Sequence, residues 1–472
     1  MSKRTTTVRN RTTLDRRGFL GLAAAATTTG LMLGTVPTGF ARSPRSGTHA
    51  RAKNVIFLVS GGASTGTITL ADILTRRQKN RLSHWVNLFN RPGTRRSLQA
   101  THAANSTVTD SAAAASAWGC GLKVDNGGLN FLRDGKTPEP ILTTARHAGL
   151  STGLVTTTRL THATPAGFVC NIRSRQMEDA IARQMMSRHV DVLLGGGEKF
   201  CTPTLQAQYD DLVVARTTDE LAPALVGDKR VLGVFSRDHL NYSIERIPSE
   251  PTLGQMTRAA LDRLSRNPDG FLLQVEAGRV DHAAHNNDAA ALVSDQLEFD
   301  DAIAVAFDFA IRRDDTLLIV TTDHGNANPG LTLYADDGEA GLDRLTAATH
   351  SAEWIRGIGH RVARSGGDDQ AALLPALVSE AYGIDLKPIE RELFARLFRK
   401  ERVMPFRNLD TLYGVLGAVM ANYYGVNFIS GNHTADHVET TLWGPGADLL
   451  GPVCDNTDLY KLMIRVLDLQ VA

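Results

Sequence analysis

The chain has 472 residues, 42% hydrophobic and 21% charged, enough apolar mass for one large α/β domain or for two or three smaller ones. Its 51 Lys and Arg nearly balance 50 Asp and Glu, so there is no basic field of the kind nucleic-acid binding requires, and small anionic substrates stay open. Four scattered cysteines, Cys120, Cys170, Cys201 and Cys454, make no metal-binding spacing and are either buried thiols or members of one or two disulfides.

In chain order, residues 1–45 read as an export signal and linker. Lys3, Arg4, Arg9 and Arg11 precede Asp15-Arg16-Arg17-Gly18-Phe19-Leu20, and an uncharged stretch of Ala, Thr, Leu and Gly runs to Pro37. Paired arginines before Phe-Leu and a weakly apolar segment look like a twin-arginine signal, which predicts a periplasmic or extracellular protein. The apolar stretch is short of spanning length and carries several Thr and Gly, so a membrane anchor is the weaker reading, and no other run is expected to cross a membrane.

Residues 46–472 then form the folded part. The apolar run at 54–60, bounded by Gly61-Gly62, predicts a fully buried strand, and 65–78 a helix after it. Runs at 153–157, 191–194, 270–275 and 316–322 repeat the strand pattern. Between the last two, Leu292, Phe299, Ile303, Ala306 and Ala310 fall on one face of a helix, the expected crossover. This alternation predicts an α/β fold, a large doubly wound, mostly parallel sheet with helices on both faces. The pattern lapses at about 331–424 into a helix-rich insertion, read as a cap or interface over the site.

Polar clusters close the apolar runs, and in such sheets ligands bind beyond the carboxyl ends of the strands. Glu276-Ala-Gly-Arg-Val-Asp281-His282-Ala-Ala-His285 follows 270–275, Asp323-His324 follows 316–322, and His433 follows the apolar stretch 426–430. Borderline divalent metals accept both imidazole nitrogen and carboxylate oxygen, and the i, i+4 spacing of Asp281 and His285 aligns two ligands on one helical turn. Any one of these residues alone is better explained as a helix cap or a hydrogen-bonded histidine; several strand-end positions together reverse those odds. Ser111, in Val108-Thr-Asp110-Ser111-Ala-Ala, opens an Ala-rich helix whose N-terminus favours an anion, although the same run is also an ordinary capping signature.

These segments, together with Asn54-Val-Ile-Phe-Leu-Val, Gly153-Leu-Val-Thr-Thr-Thr-Arg-Leu-Thr-His-Ala-Thr-Pro165, Asp191-Val-Leu-Leu-Gly-Gly-Gly197 and His433-Thr434, resemble the alkaline phosphatases in the family's order, over roughly residues 52–330 and again 425–465. The resemblance implies an exported phosphate-monoester hydrolase with Ser111 as the phosphorylated nucleophile, Arg175 as a clamp on phosphate oxygens and Asp110 orienting that arginine. It implies two zinc-like ions, one on Asp281, His285 and His433, the other on Asp323, His324 and Ser111. Glu276 and Thr164, with His162 two residues earlier, fall where the family binds a third ion, commonly magnesium, and His282 falls where some members touch the phosphate or the magnesium water. Family members are often dimers, so a homodimer is one expected assembly.

One departure stands out. Members usually carry Gly-Asp-Gly after the first strand, its Asp bridging the second and third ions, whereas this chain has Ser60-Gly61-Gly62-Ala63-Ser64. Gly61 offers no ligand, which leaves three carboxylates where the usual set has four and predicts a third ion weakened or absent; Ser60 or Ser64 would supply at most a hydroxyl. A degenerate member that binds phosphate without turnover, and a phosphodiesterase of the same superfamily, are the alternative readings.

Overall fold

The computed structural model describes residues 51–364 and 370–470, so the expected signal at 1–45 lies outside the described residues. Ten strands join in one sheet. Eight of them are β1 (Asn54–Ser60), β2 (Arg95–Ala100), β3 (Ser151–Arg159), β4 (Val192–Gly196), β5 (Leu212–Ala215), β6 (Arg230–Val234), β7 (Phe271–Ala277) and β8 (Thr316–Thr321). From one edge the order is Val453–Asp455, β2, Val438–Trp443, β8, β1, β7, β3, β4, β6, β5. Val438–Trp443 alone runs against its neighbours; the other pairings are parallel.

Burial on both faces explains the unbroken apolar runs of the central strands. Along β1, Val55, Phe57 and Val59 enter one core with Ala112, Ala115, Trp118 and Leu459. Ile56 and Leu58 point the other way, into a core with Met256, Leu292, Phe299 and Ile303. The expected crossover helix is Ala289–Ala310, started by Asp288, whose Oδ1 accepts from the Ala291 amide at 3.1 Å. Strands without apolar runs escape the sequence pattern. β2 buries Ser97 and Gln99, and Val438–Trp443 buries Thr440 and Thr441 beside Val438 and Leu442, so polar side chains interrupt their buried positions. The five helices Ala335–Ala347, Ala352–Arg364, Gln370–Tyr382, Pro388–Phe398 and Leu412–Tyr424 fill the insertion. They share an apolar cluster that includes Leu342, Ile355, Val378, Phe394 and Met420, packed on Leu70, Leu74 and Val293 of the main body. Among the described residues no helix is long and apolar enough to cross a membrane. All four cysteines are buried free thiols, which settles the open question of disulfides.

The Ala-rich segment forms the helix Ser111–Cys120, and its small residues have a packing purpose. A Cβ on Gly119 would lie 1.9 Å from the Gly167 carbonyl oxygen, and one on Gly167 would lie 2.5 Å from the Ala115 Cβ. This close approach seats the helix on the segment Ala163–Gly167, which carries Thr164, while Trp118 packs on Phe57 of β1 with ring centroids 5.0 Å apart. The helix is thereby seated between β1 and the segment that follows β3. Gly119→Ala is expected to lower stability by about 1–3 kcal/mol through overpacking, read as a lower denaturant midpoint at unchanged slope.

Candidate active site

The adjacent strands β8, β1, β7 and β3 deliver their carboxyl ends to one edge, and the residues singled out from sequence gather there. Glu276 lies inside β7 rather than beyond it, paired with Val59 of β1 and Thr156 of β3. The chain then turns into the helix Arg279–His285, which sets Asp281 and His285 on one face. His433 sits not at the end of a long strand but in the two-residue strand His433–Thr434, pinned antiparallel to Gly325–Asn326 just after β8. That pairing brings the two distant segments together.

Asp281, His285 and His433 each offer a ligand atom within 4.8 Å of the others. His285 Nδ1 lies 2.8 Å from the Gly431 carbonyl oxygen, and His433 Nδ1 lies 2.8 Å from that of Thr109. A carbonyl only accepts, so both rings carry hydrogen on Nδ1, the tautomer that in a neutral imidazole leaves the lone pair on Nε2. Those two Nε2 atoms face each other at 3.0 Å, with Asp281 carboxylate oxygens 3.5 Å and 3.7 Å away. Opposed lone pairs beside a carboxylate suit a shared cation, and hydrogen-bonded Nδ1 is the usual outer support of a metal-binding imidazole. Burial opposes ionisation of Asp281, but His285, His433 and His324 outweigh it and hold the carboxyl well below its ordinary range. Burial and His324 push His433 down to about 4, so the ring is neutral at physiological pH.

Beside this triad, the His324 ring stacks on His433 at 3.6 Å. His324 Nε2 is 3.1 Å from Asp323 Oδ2 and 3.2 Å from Ser111 Oγ. Asp323 Oδ2 is buried and, apart from the His324 ring nitrogen at 3.1 Å, has no polar partner, so a cation between the two would satisfy both. Its other oxygen accepts from the Gly62 amide at 2.8 Å. Gly62 has φ +66°, and a Cβ there would lie 2.5 Å from Asp281 Oδ1, so both backbone conformation and space demand glycine.

Asp110 caps the Ser111 helix through Oδ1, accepting from the Ala113 amide at 3.0 Å, and uses Oδ2 to accept from the Gly127 amide at 3.0 Å and Arg175 Nη1 at 3.2 Å. Arg175 Nη2 donates to His162 Nε2 at 3.1 Å. Capping and arginine anchorage are thus two uses of one carboxylate. Glu276 is fully buried; Thr156 Oγ1 donates to its Oε2 at 2.5 Å, and the buried Thr164 hydroxyl faces the same carboxylate without closing a hydrogen bond. Burial raises Glu276 to about 7, against the threonine donors and with help from Asp323 and Asp281. A carboxylate so disfavoured, next to an unpartnered hydroxyl, fits a hard cation.

Ser60 Oγ donates to Gln296 Oε1 at 2.6 Å, and Ser64 Oγ to Asn328 Oδ1 at 2.7 Å, so both hydroxyls near Gly61 are committed elsewhere. Sequence reasoning missed several residues. Asn326 Nδ2 donates to Asp281 Oδ1 at 2.8 Å and orients it. His239 packs on His282 with centroids 4.5 Å apart, and His282 packs on His162 at 5.4 Å. Arg279 Nη1 donates to His282 Nδ1 at 2.9 Å. Asp238-His239 shortly after the apolar run of β6, and Asn326 two residues past His324, were the available signals.

A parallel sheet with this cluster at its carboxyl edge defines a phosphatase-type hydrolase, and comparison with known proteins agrees. The family model for alkaline phosphatase matches residues 52–353, and the chain belongs to that family. It is 26% identical to alkaline phosphatase 3 of Bacillus subtilis, over 93% of this chain and 94% of the relative. It is 32% identical to streptomycin-6-phosphate phosphatase of Streptomyces griseus, over 83% of this chain and 95% of the relative. Among solved structures, Thermus thermophilus alkaline phosphatase superposes with a TM-score of 0.81 at 32% identity, covering 93% of this chain and 96% of that one. The enzyme is therefore a phosphatase acting on small phosphorylated substrates.

Proposed function

We propose that the chain is an exported, metal-dependent hydrolase of phosphate monoesters that works through a phosphoserine on Ser111. The observation that carries metal dependence is the pair of Nε2 lone pairs opposed at 3.0 Å beside Asp281. Asp281, His285 and His433 would hold one ion, and Asp323, His324 and the Ser111 oxygen a second. Such ions supply the positive charge that makes a serine hydroxyl and a water acidic enough to attack phosphorus.

The chain's own groups do the rest. Arg175, anchored by Asp110 and His162, presents a planar guanidinium that matches two phosphoryl oxygens. The Ser111 oxygen attacks phosphorus in line with the leaving oxygen; the P–O bond to the alcohol breaks, and the alcohol takes up a proton. Water then attacks the phosphoserine, the bond to Ser111 breaks, and phosphate leaves. The N-terminus of the Ser111 helix adds a fixed partial positive charge beneath the phosphoryl group.

Glu276, Thr164 and His162 would serve a third ion, and Gly61 weakens it because no carboxylate bridges it to the second. Gly61 is outside the left-handed region, and an added Cβ would meet the Gly278 Cα at 3.4 Å and the Asp281 Cβ at 3.6 Å, so a side chain there would point at the cluster without backbone strain. Export rests on Arg16-Arg17 and the weakly apolar stretch after them.

Three outcomes test these proposals. Ser111→Ala should abolish turnover of a chromogenic phosphate monoester by zinc- and magnesium-loaded protein, and acid quenching with labelled substrate should mark Ser111; wild-type activity in the variant would sink the mechanism. Gly61→Asp should tighten magnesium binding by roughly tenfold or more, the scale on which support around metal sites acts; calorimetric titration giving equal affinities for both proteins would show that Gly61 is not a lost ligand. Replacing Arg16 and Arg17 together by Lys should keep the protein in the cytoplasm, and undiminished export of that double variant would refute the route.

A further inference from the structure

A cavity of about 470 Å³ opens directly beside the metal-ligand triad, with His285 in its wall, between the helix Arg279–His285 and the cap helix Ala352–Arg364. Among the described residues its lining sets two guanidinium groups, Arg279 and Arg356, and the polar rings of His239, His282 and His360 against one carboxylate, Glu353. That carboxylate is already engaged, since Arg279 Nη2 lies 3.0 Å from Glu353 Oε2. Arg279 is itself 4% exposed, with its guanidinium 3.7 Å above the Tyr242 ring. Arg356 is exposed and has a neutral partner, donating from Nη1 to the Tyr413 hydroxyl at 3.2 Å.

Resting on the phosphatase reading above, we infer that this cavity receives the leaving group and selects phosphate monoesters that carry a second anionic group, a carboxylate or a second phosphate, a few bonds from the scissile one. Arg356 is the specificity-determining residue, because among the described residues lining the cavity it is the guanidinium on the cap side that donates to a neutral hydroxyl rather than to a carboxylate. The cavity meets the metal-ligand triad at His285, which shares a helix face with Asp281 four residues earlier and lines the same cavity as Arg356. A neutral polyol fills the same space but leaves the guanidinium without its best acceptor. Planar bidentate pairing favours a carboxylate or phosphate over a hydroxyl at this position.

The test separates this pocket from the hydrolase mechanism. Dissociation constants are measured by calorimetry on metal-loaded Ser111→Ala protein, which is not expected to turn its ligands over, for 3-phosphoglycerate against glycerol 3-phosphate and for glucose 1,6-bisphosphate against glucose 6-phosphate. The first pair adds a carboxylate and the second a phosphate. At least one pair should differ by about tenfold or more, the scale of a charge-assisted hydrogen bond, and adding Arg356→Gln should bring that pair to within about twofold. Equal constants within both pairs, or a preference that Arg356→Gln leaves intact, would overturn the assignment. Parallel assays of the four esters on wild-type protein test the other reading: no turnover of any of them, with the binding preference present, would sink the hydrolase proposal and leave the pocket standing.

Discussion

Two backbone carbonyls govern the chemistry at the edge of the sheet. By accepting from Nδ1 of His285 and His433, the carbonyls of Gly431 and Thr109 fix both tautomers and turn both Nε2 lone pairs inward at 3.0 Å. Neutral imidazoles do not hold that contact comfortably by themselves. With Asp281 kept ionised and oriented by Asn326, the arrangement suits a shared cation.

The same carbonyl ties this centre to the serine. Thr109 precedes Asp110, which caps the helix that begins at Ser111, so the segment that orients His433 also positions Ser111. Small residues complete the linkage. Gly119 and Gly167 let that helix lie against the Thr164 segment, and Gly62 lets the loop after β1 pass between Asp281 and Asp323. Larger side chains at these three places would move the ligands rather than merely fill space, because interiors are close-packed and transmit strain.

Arg279 joins the centre to the cap. Buried against Tyr242, it donates to His282 and pairs with Glu353 of the insertion. Removing either partner would leave a buried guanidinium short of acceptors, which is costly in a low-dielectric setting. The insertion is thereby coupled to the helix that carries Asp281 and His285. Variation in the cap can alter the cavity over the site while the sheet edge stays constant, the usual division between a scaffold and the segments that carry specificity.

The parallel sheet was legible in the sequence because strands buried on both faces must be continuously apolar, as Asn54–Ser60 and Thr316–Thr321 are. The helix carrying Asp281 and His285 was legible too, since i, i+4 spacing is a local property. The polar strands β2 and Val438–Trp443 were not, because their buried Ser, Gln and Thr side chains leave no hydrophobic period. Residue types and order pointed to metal-assisted phosphoryl chemistry, but they did not reveal which nitrogen of each histidine is free. That was decided by carbonyls from residues 146 and 324 positions away along the chain. Nor did sequence place His239, Arg279 and Arg356 around one cavity, because they lie on a strand-following loop, the ligand helix and the cap, which meet only once all three are packed. Local pattern determines what a segment becomes; the lone pairs and charges that meet at a site depend on long-range packing that no window of sequence contains.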